Sequence, residues 1–291
     1  MKCKLFFARS IMLVSLICLL NNSVYSQGTD YSRGQGEPKK LFVSISLDPA
    51  QTSIINEFNS LALTSKAGNS LNGKIEFGYY FSKSFGISIG LGYSSFSSKL
   101  LLNKDTCSFR ANDSEEDYTM QVTGKSITED QKIAFLSIPL CLAFRLPLGN
   151  KWSFLLQAGL DFGIPILKTY SESGIFTYEG YYKEYPVLLH DIPKFGFATD
   201  TSTKVSGNYL LKSFNVNIMA VGSIQYSLSE KISISIGIYF TRSLTNISAY
   251  KKADPFLLST KLSELNSFME GSSNTGVQAL GLNIGLRYYI K

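Results

Sequence analysis

Between Gln131 and Ile166 apolar side chains fall at every second position, in two segments joined by Pro147-Leu148-Gly149-Asn150-Lys151. In the first, Ala134, Leu136, Ile138, Leu140, Leu142, Phe144 and Leu146 alternate with Ser137, Pro139, Cys141, Ala143 and Arg145. In the second, Trp152, Phe154, Leu156, Ala158, Leu160, Phe162 and Ile164 oppose Ser153, Gln157, Gly159, Asp161 and Gly163. A period of two is that of a β-strand, whose successive side chains point to opposite faces. One face is continuously apolar, and the other carries small residues, amides and isolated charges. That division fits a strand with lipid on one side and a narrow polar lumen on the other.

The same pattern recurs along the chain. Lys40–Asp48, Asn72–Ser82, Ser84–Ser97, Lys212–Leu228, Lys231–Arg242 and Gly276–Ile290 each alternate, which with the central hairpin predicts eight strands. Three connections are short: Ser82-Lys83-Ser84, Pro147–Lys151 and Ser229-Glu230-Lys231. Four others, over Pro49–Leu71, Ser98–Asp130, Leu167–Leu211 and Ser243–Thr275, read as long loops. Short turns at one end and long loops at the other predict an all-β fold, an eight-stranded antiparallel transmembrane β-barrel with short periplasmic turns and four long extracellular loops. A soluble sandwich or lipocalin-like barrel would have to turn these large apolar residues inwards, and an eight-stranded interior has no room for them. Tyr79, Tyr80, Phe81, Phe85, Trp152, Phe154, Tyr288 and Tyr289, at the short-turn ends, read as an interfacial girdle.

Residues 1–26 have the form of an export signal. Lys2, Lys4 and Arg9 precede the apolar run Ile11–Leu20, and the small Ser26 precedes Gln27 as a cleavage position. Gly28–Lys40 is rich in Gly and charge, so residues 27–39 read as a flexible periplasmic leader and 40–291 as the barrel. The net charge of +6, half of it in the signal, and the absence of a basic run argue against a nucleic-acid partner. Beyond the signal, Cys107 and Cys141 remain, which an exported chain is able to join as a disulfide.

Phe135-Leu136-Ser137-Ile138-Pro139-Leu140, the hairpin after it and the closing Gly281-Leu282-Asn283-Ile284-Gly285-Leu286-Arg287-Tyr288-Tyr289 resemble the PorT-like outer-membrane β-barrel proteins of Bacteroidota. The family usually has an acid where this chain has Ser137. The resemblance implies a barrel resident in the outer membrane of a Gram-negative bacterium. It does not by itself imply a role in secretion, since one fold serves many functions.

The two-residue period places Lys74, Glu76, Arg145, Asp161 and Arg287 in the lumen, where ionised groups need partners, so Glu76 and Asp161 are expected to pair with Arg145 and Arg287. Such a network either plugs the barrel or selects solutes. In the third long loop Tyr178, Tyr181, Tyr182 and Tyr185 form a polar-aromatic group suited to a protein or glycan ligand. Gln51–Leu63 and Asp254–Met269 have helix-like spacing. Asn112–Asp117 is acidic but lacks the ordered spacing of a calcium loop. One histidine, His190, beside Asp191 and with Ser171, Ser173, Ser202 and Ser206 nearby in sequence, is poor material for a catalytic triad, and one His with two Cys is poor material for a zinc cage. The chain therefore reads as a non-enzymatic, cofactor-free monomer contacting outer-membrane lipid and acting through its loops. The alternative is a narrow channel or an accessory of transport or protein secretion.

Overall fold

The computed structural model describes residues 41–58, 63–251 and 256–290; the signal and leader readings lie outside them. Among the described residues ten strands form: β1 Leu41–Glu57, β2 Thr64–Tyr80, β3 Phe85–Asn112, β4 Asp117–Pro147, β5 Trp152–Tyr182, β6 Val187–Leu189, β7 Ala198–Asn208, β8 Asn215–Ser227, β9 Ile232–Ser243 and β10 Asn274–Ile290. Eight of them are hydrogen-bonded in a closed antiparallel ring, β1-β2-β3-β4-β5-β8-β9-β10, with β10 returning to β1 through Leu41↔Ile290 to Glu57↔Asn274. β6 and β7 are the two outside it, and both pair with β5. A closed ring leaves no strand edge, so the backbone polar groups of its strands can be satisfied inside hydrocarbon.

Outward positions are large and apolar. They include Ile45 and Leu47 on β1, Phe77 and Tyr79 on β2, Ile89 and Leu91 on β3, Leu140 and Leu142 on β4, and Leu282 and Ile284 on β10. The intervening side chains, among them Ser44, Ser46, Glu76, Ser88, Ser137, Gln157 and Asn283, are buried inside. At the short-turn end, serine hydroxyls hold two of the tight connections. Ser82 Oγ accepts the Phe85 N–H at 2.9 Å, and Ser229 Oγ accepts the Ile232 N–H at 3.1 Å. The girdle reading is corrected in part. Tyr79, Phe81, Phe85, Trp152 and Tyr288 are exposed on the outer face, but Tyr80 and Tyr289 are buried inside the ring, as the alternation around each requires.

The far end departs from the loop picture. Three of the four expected long loops are mostly strand: Pro49–Leu71 completes β1 and opens β2, Ser98–Asp130 is a continuous β3–β4 hairpin, and much of Leu167–Leu211 is β5 and β7. Each of β4 and β5 runs for 31 residues, about three times the 9–11 that cross a bilayer. Neither stretch of helix-like spacing is a helix over its described residues. Gln51–Glu57 continues β1, and the described part of Asp254–Met269 is irregular until the 3-10 turn Phe268–Gly271. In the first, pairing with β10 overrides a weak local pattern.

Two bulges decide which residues face inwards in this extension. Ala134 pairs with Leu167 and Phe135 with Pro165, so Ile166 is an extra residue on β5. Above it, β5 presents even-numbered residues to the interior, where below it presented odd ones. A second shift between Lys125 and Thr128 does the same to β4, with Ser126 at φ +50°. One unpaired residue turns every later side chain to the opposite face.

Candidate functional site

From the short-turn end upwards, the interior is filled in layers. The floor is aromatic: Phe42 packs against Tyr80 at 5.3 Å and Tyr289 at 6.3 Å between ring centroids, over Gly78. The Arg287 guanidinium lies 4.0 Å from the centre of the Phe42 ring and donates to Tyr80 Oη at 2.8 Å, while Arg145 sits 5.6 Å from the Tyr289 ring. Cation–π contact and a phenol oxygen thus do for these arginines what a carboxylate was expected to do.

Above the floor, Lys74 and Glu76 form an ion pair at 3.7 Å, both almost fully buried. Ser88 Oγ donates to Glu76 at 3.2 Å, and Gln157 donates to Ser88 at 3.4 Å. Asp48, held by Asn283 at 2.6 Å, lines a small cavity with Lys74, Asp161, Ser137 and Tyr239. The free space there is ≈ 10 Å³, about the room for one water centre. The structure therefore brings Lys74, Glu76 and Asp161 to one level and Arg145 and Arg287 to another. Among the described residues, no salt bridge joins Glu76 or Asp161 to either arginine. Asp48 belongs to this layer too. Its phase with Phe42, Ser44 and Ser46 points it inwards, but it falls at the last residue of the strand read from sequence.

Next comes an apolar layer of Ile54, Phe96, Phe135, Met219, Val277 and Met269. Over it lies a polar cluster in the extension, well above Leu136, the last large apolar residue on the outer face of β4. Glu129 Oε1 accepts from Gln131 at 2.8 Å and Tyr209 Oη at 2.9 Å, and its Oε2 accepts the Phe268 N–H at 2.9 Å. Glu172, directly opposite on β5, is equally buried, and among the described residues neither of its oxygens has a hydrogen-bond donor. A last apolar cluster of Leu100, Met120, Ile127, Phe176, Tyr178, Leu258 and Phe268 closes the mouth.

At the tip of the extension, two hairpins are tied side by side. Tyr182 Oη donates to Asp113 at 2.8 Å and Tyr185 Oη to Glu116 at 2.9 Å, and Tyr182 stacks on Tyr118 with ring centroids 5.0 Å apart. Partial burial and the bond to Asp113 push the Tyr182 phenol up to about 12. Asp113 is held below the usual carboxylate range, chiefly by the Glu116 backbone N–H. Asn112–Asp117 is thus a turn whose acids are used on its own amides and neighbours. Tyr185, Val187, Leu188 and Phe195 are exposed around it. Tyr181 is half-buried, opposite Thr119 and Leu188. Tyr178 is a correction to the binding group: it points inwards and bonds Ser259 Oγ at 2.7 Å.

His190 Nδ1 contacts Asp191 at 3.0 Å on the surface. Ser206 bonds Ser171 and Ser173 bonds Thr128, away from that pair. Cys107 is opposite Val122 in the extension and Cys141 faces the lumen; both are free thiols. No group of three His, Cys, Asp or Glu side chains among the described residues is arranged to hold a metal ion.

Among solved structures, the chain is similar to the attachment invasion locus protein Ail of Yersinia pestis (12% identity, 86% of this chain and 99% of that one, TM-score 0.32). It is also similar to Neisserial surface protein A (8%, 86% and 97%, TM-score 0.35) and to OprG of Pseudomonas aeruginosa (12%, 87% and 97%, TM-score 0.37). No curated protein matches significantly. The model of the outer membrane protein beta-barrel domain matches residues 43–249, from the third residue of β1 to beyond β9, and the chain belongs to that family.

Proposed function

We propose that this outer-membrane protein is an exported, non-enzymatic monomer that works at the cell surface through the tip of its β3–β4 and β5–β7 hairpins. In this reading the short turns are periplasmic, the long strands project outwards, and the ligand is an extracellular protein or glycan. The carrying observation is the contrast between the two ends of the interior and the tip. The lumen is filled from the Phe42 floor to the Phe268 ceiling, with ≈ 10 Å³ free at its polar middle, whereas the tip exposes Tyr185, Val187, Leu188 and Phe195 on a braced frame. A rigid aromatic surface with a polar rim is what a recognition site needs. The Phe135–Leu140 and Gly281–Tyr289 segments support placement in the PorT-like branch, and a secretion role does not follow from that.

The alternative, a narrow channel, is tested in planar bilayers with refolded wild type beside the Arg145→Ala/Arg287→Ala variant. Neither is expected to give steady openings, because removing the floor arginines leaves the Lys74 layer and the ceiling in place. Openings that change in selectivity with the variant would overturn the surface reading and make the lumen the working site.

A further inference from the structure

The buried pair Glu129–Glu172 has no part in the tip or in the lipid-facing wall. It sits where the β9–β10 connection enters the barrel mouth. Ser267, Phe268 and Met269 are fully buried there, Met269 in the apolar layer below and Phe268 in the cluster above. The segment is fixed to the wall by the Phe268 N–H on Glu129 Oε2, while Ser267 Oγ accepts the Met269 N–H at 3.1 Å. Glu129 is held in turn by Gln131, which Ser98 and Asn56 orient from β3 and β1 at 2.8 and 3.2 Å. Burial pushes the Glu129 carboxyl up, and the three donors it receives favour its charged form against that burial. Among the described residues Glu172 receives none, so two like charges would stand directly opposite each other in a buried site.

We propose that Glu172 is a proton-binding site, and that the proton it shares with Glu129 latches the segment Ser267–Gly271 inside the mouth. Among the described residues, the titratable groups facing the pair offer no positive charge in exchange. They are Tyr170 on β5, Tyr209 after β7, Tyr250 in the β9–β10 connection and Glu270 in the 3-10 turn. The salt bridges among the described residues involve none of these groups. Burial first, then the charges of Glu129 and Glu270, push Glu172 up to about 9. When the segment swings out, Glu172 meets water and returns to the ordinary carboxylate range. The latched state therefore holds a proton that the open state releases to solvent. Its advantage is complete below the ordinary carboxylate pKa and is lost as pH rises to the latched value. Over that interval the closed-to-open ratio falls about tenfold per pH unit. Release uncovers the apolar vestibule of Leu100, Met120 and Leu258, and leaves the Lys74 layer sealing the lumen beneath.

The test is a pH titration from 5 to 10.5 of the full chain refolded in nanodiscs, carrying carbon-13 in the Glu carboxyls and nitrogen-15 in Phe. The Glu172 carboxyl is expected to stay protonated at neutral pH and to titrate near the latched value, with the Phe268 amide losing protection over the same interval. In Glu172→Gln, which keeps the shape and removes the titration, Phe268 stays protected to higher pH. If that variant does not fold, the wild-type titration still decides. Titration of Glu172 in the ordinary carboxylate range, or identical loss of Phe268 protection in Glu172→Gln, would overturn the latch. Bilayer conductance should stay silent throughout, so failure of the latch and failure of the sealed-lumen reading are seen separately.

Discussion

Gly78 shows how much a single residue decides in a barrel this narrow. A Cβ built there falls 2.0 Å from Cζ of the Phe42 ring, whose centre lies 4.0 Å from the Arg287 guanidinium. An aromatic ring laid over a strand glycine is a packing device that no side chain at that position can replace. Gly78→Ala should therefore push Phe42 off the floor and cost about 1–3 kcal/mol, the usual range for overpacking. Gly222→Ala is the control. Its Cβ would meet only the tip of Phe154 at 4.0 Å, so the change should be neutral or slightly stabilising, since alanine loses less backbone freedom than glycine. Urea midpoints of the two variants refolded in the same liposomes check the difference. Equal midpoints would mean that the floor is not packed as described.

Among the elements, the β3–β4 hairpin is long enough to be cut without touching the ring. Removing the segment beyond the Lys104↔Lys125 pair and closing it with a two-residue turn leaves the pairing of Phe85–Leu102 with Ile127–Phe144 intact. The shortened chain should still refold and keep heat-modifiable migration. It loses the Asp113 and Glu116 partners of Tyr182 and Tyr185 and uncovers Phe197, which packs edge-on against Tyr118. Trypsin is expected to cut slowly at the exposed Lys183 and Lys194 of the intact protein and faster in the shortened chain, and the proposed surface binding should be lost as well. Retained resistance would show that the two hairpins are independent. This extension also marks where the sequence stops being readable. The eight membrane segments were legible because lipid enforces strict alternation, and Lys74, Glu76 and Asp161 follow from it. Glu129 was not, because it lies in the Ser98–Asp130 stretch read as a loop, and Glu172 was not, because the extra Ile166 reverses the phase of β5: counted upwards from Asp161, Glu172 falls on the outer face. Tyr178 was misplaced for a related reason, since a run of tyrosines reads as loop when its pairing partner lies in another hairpin.

At the scale of the molecule, the outer surface changes character along the strand axis, and this is what sets the membrane boundary. Ile284 stands between Leu47 and Ile236 in the middle of the apolar band, and its outer face is 51% exposed. Ile175 is exposed too, at 39%, but on the β5 extension, between Lys125 on β4 and Ser202 on β7. In water both would tolerate a charge equally, as exposed positions do. In a bilayer they would not, because an arginine at mid-depth on the lipid face costs about 2–4 kcal/mol and one outside the hydrocarbon costs close to nothing. Ile284→Arg should accordingly lower the unfolding free energy in liposomes by that amount, and Ile175→Arg should leave it unchanged. The contrast should vanish for any pair of sites that both lie above Leu136. Equal effects at the two positions would place the chain's apolar belt against something other than lipid, and that belt would then need a different explanation, because a barrel with no bilayer around it gains nothing from turning its isoleucines outwards.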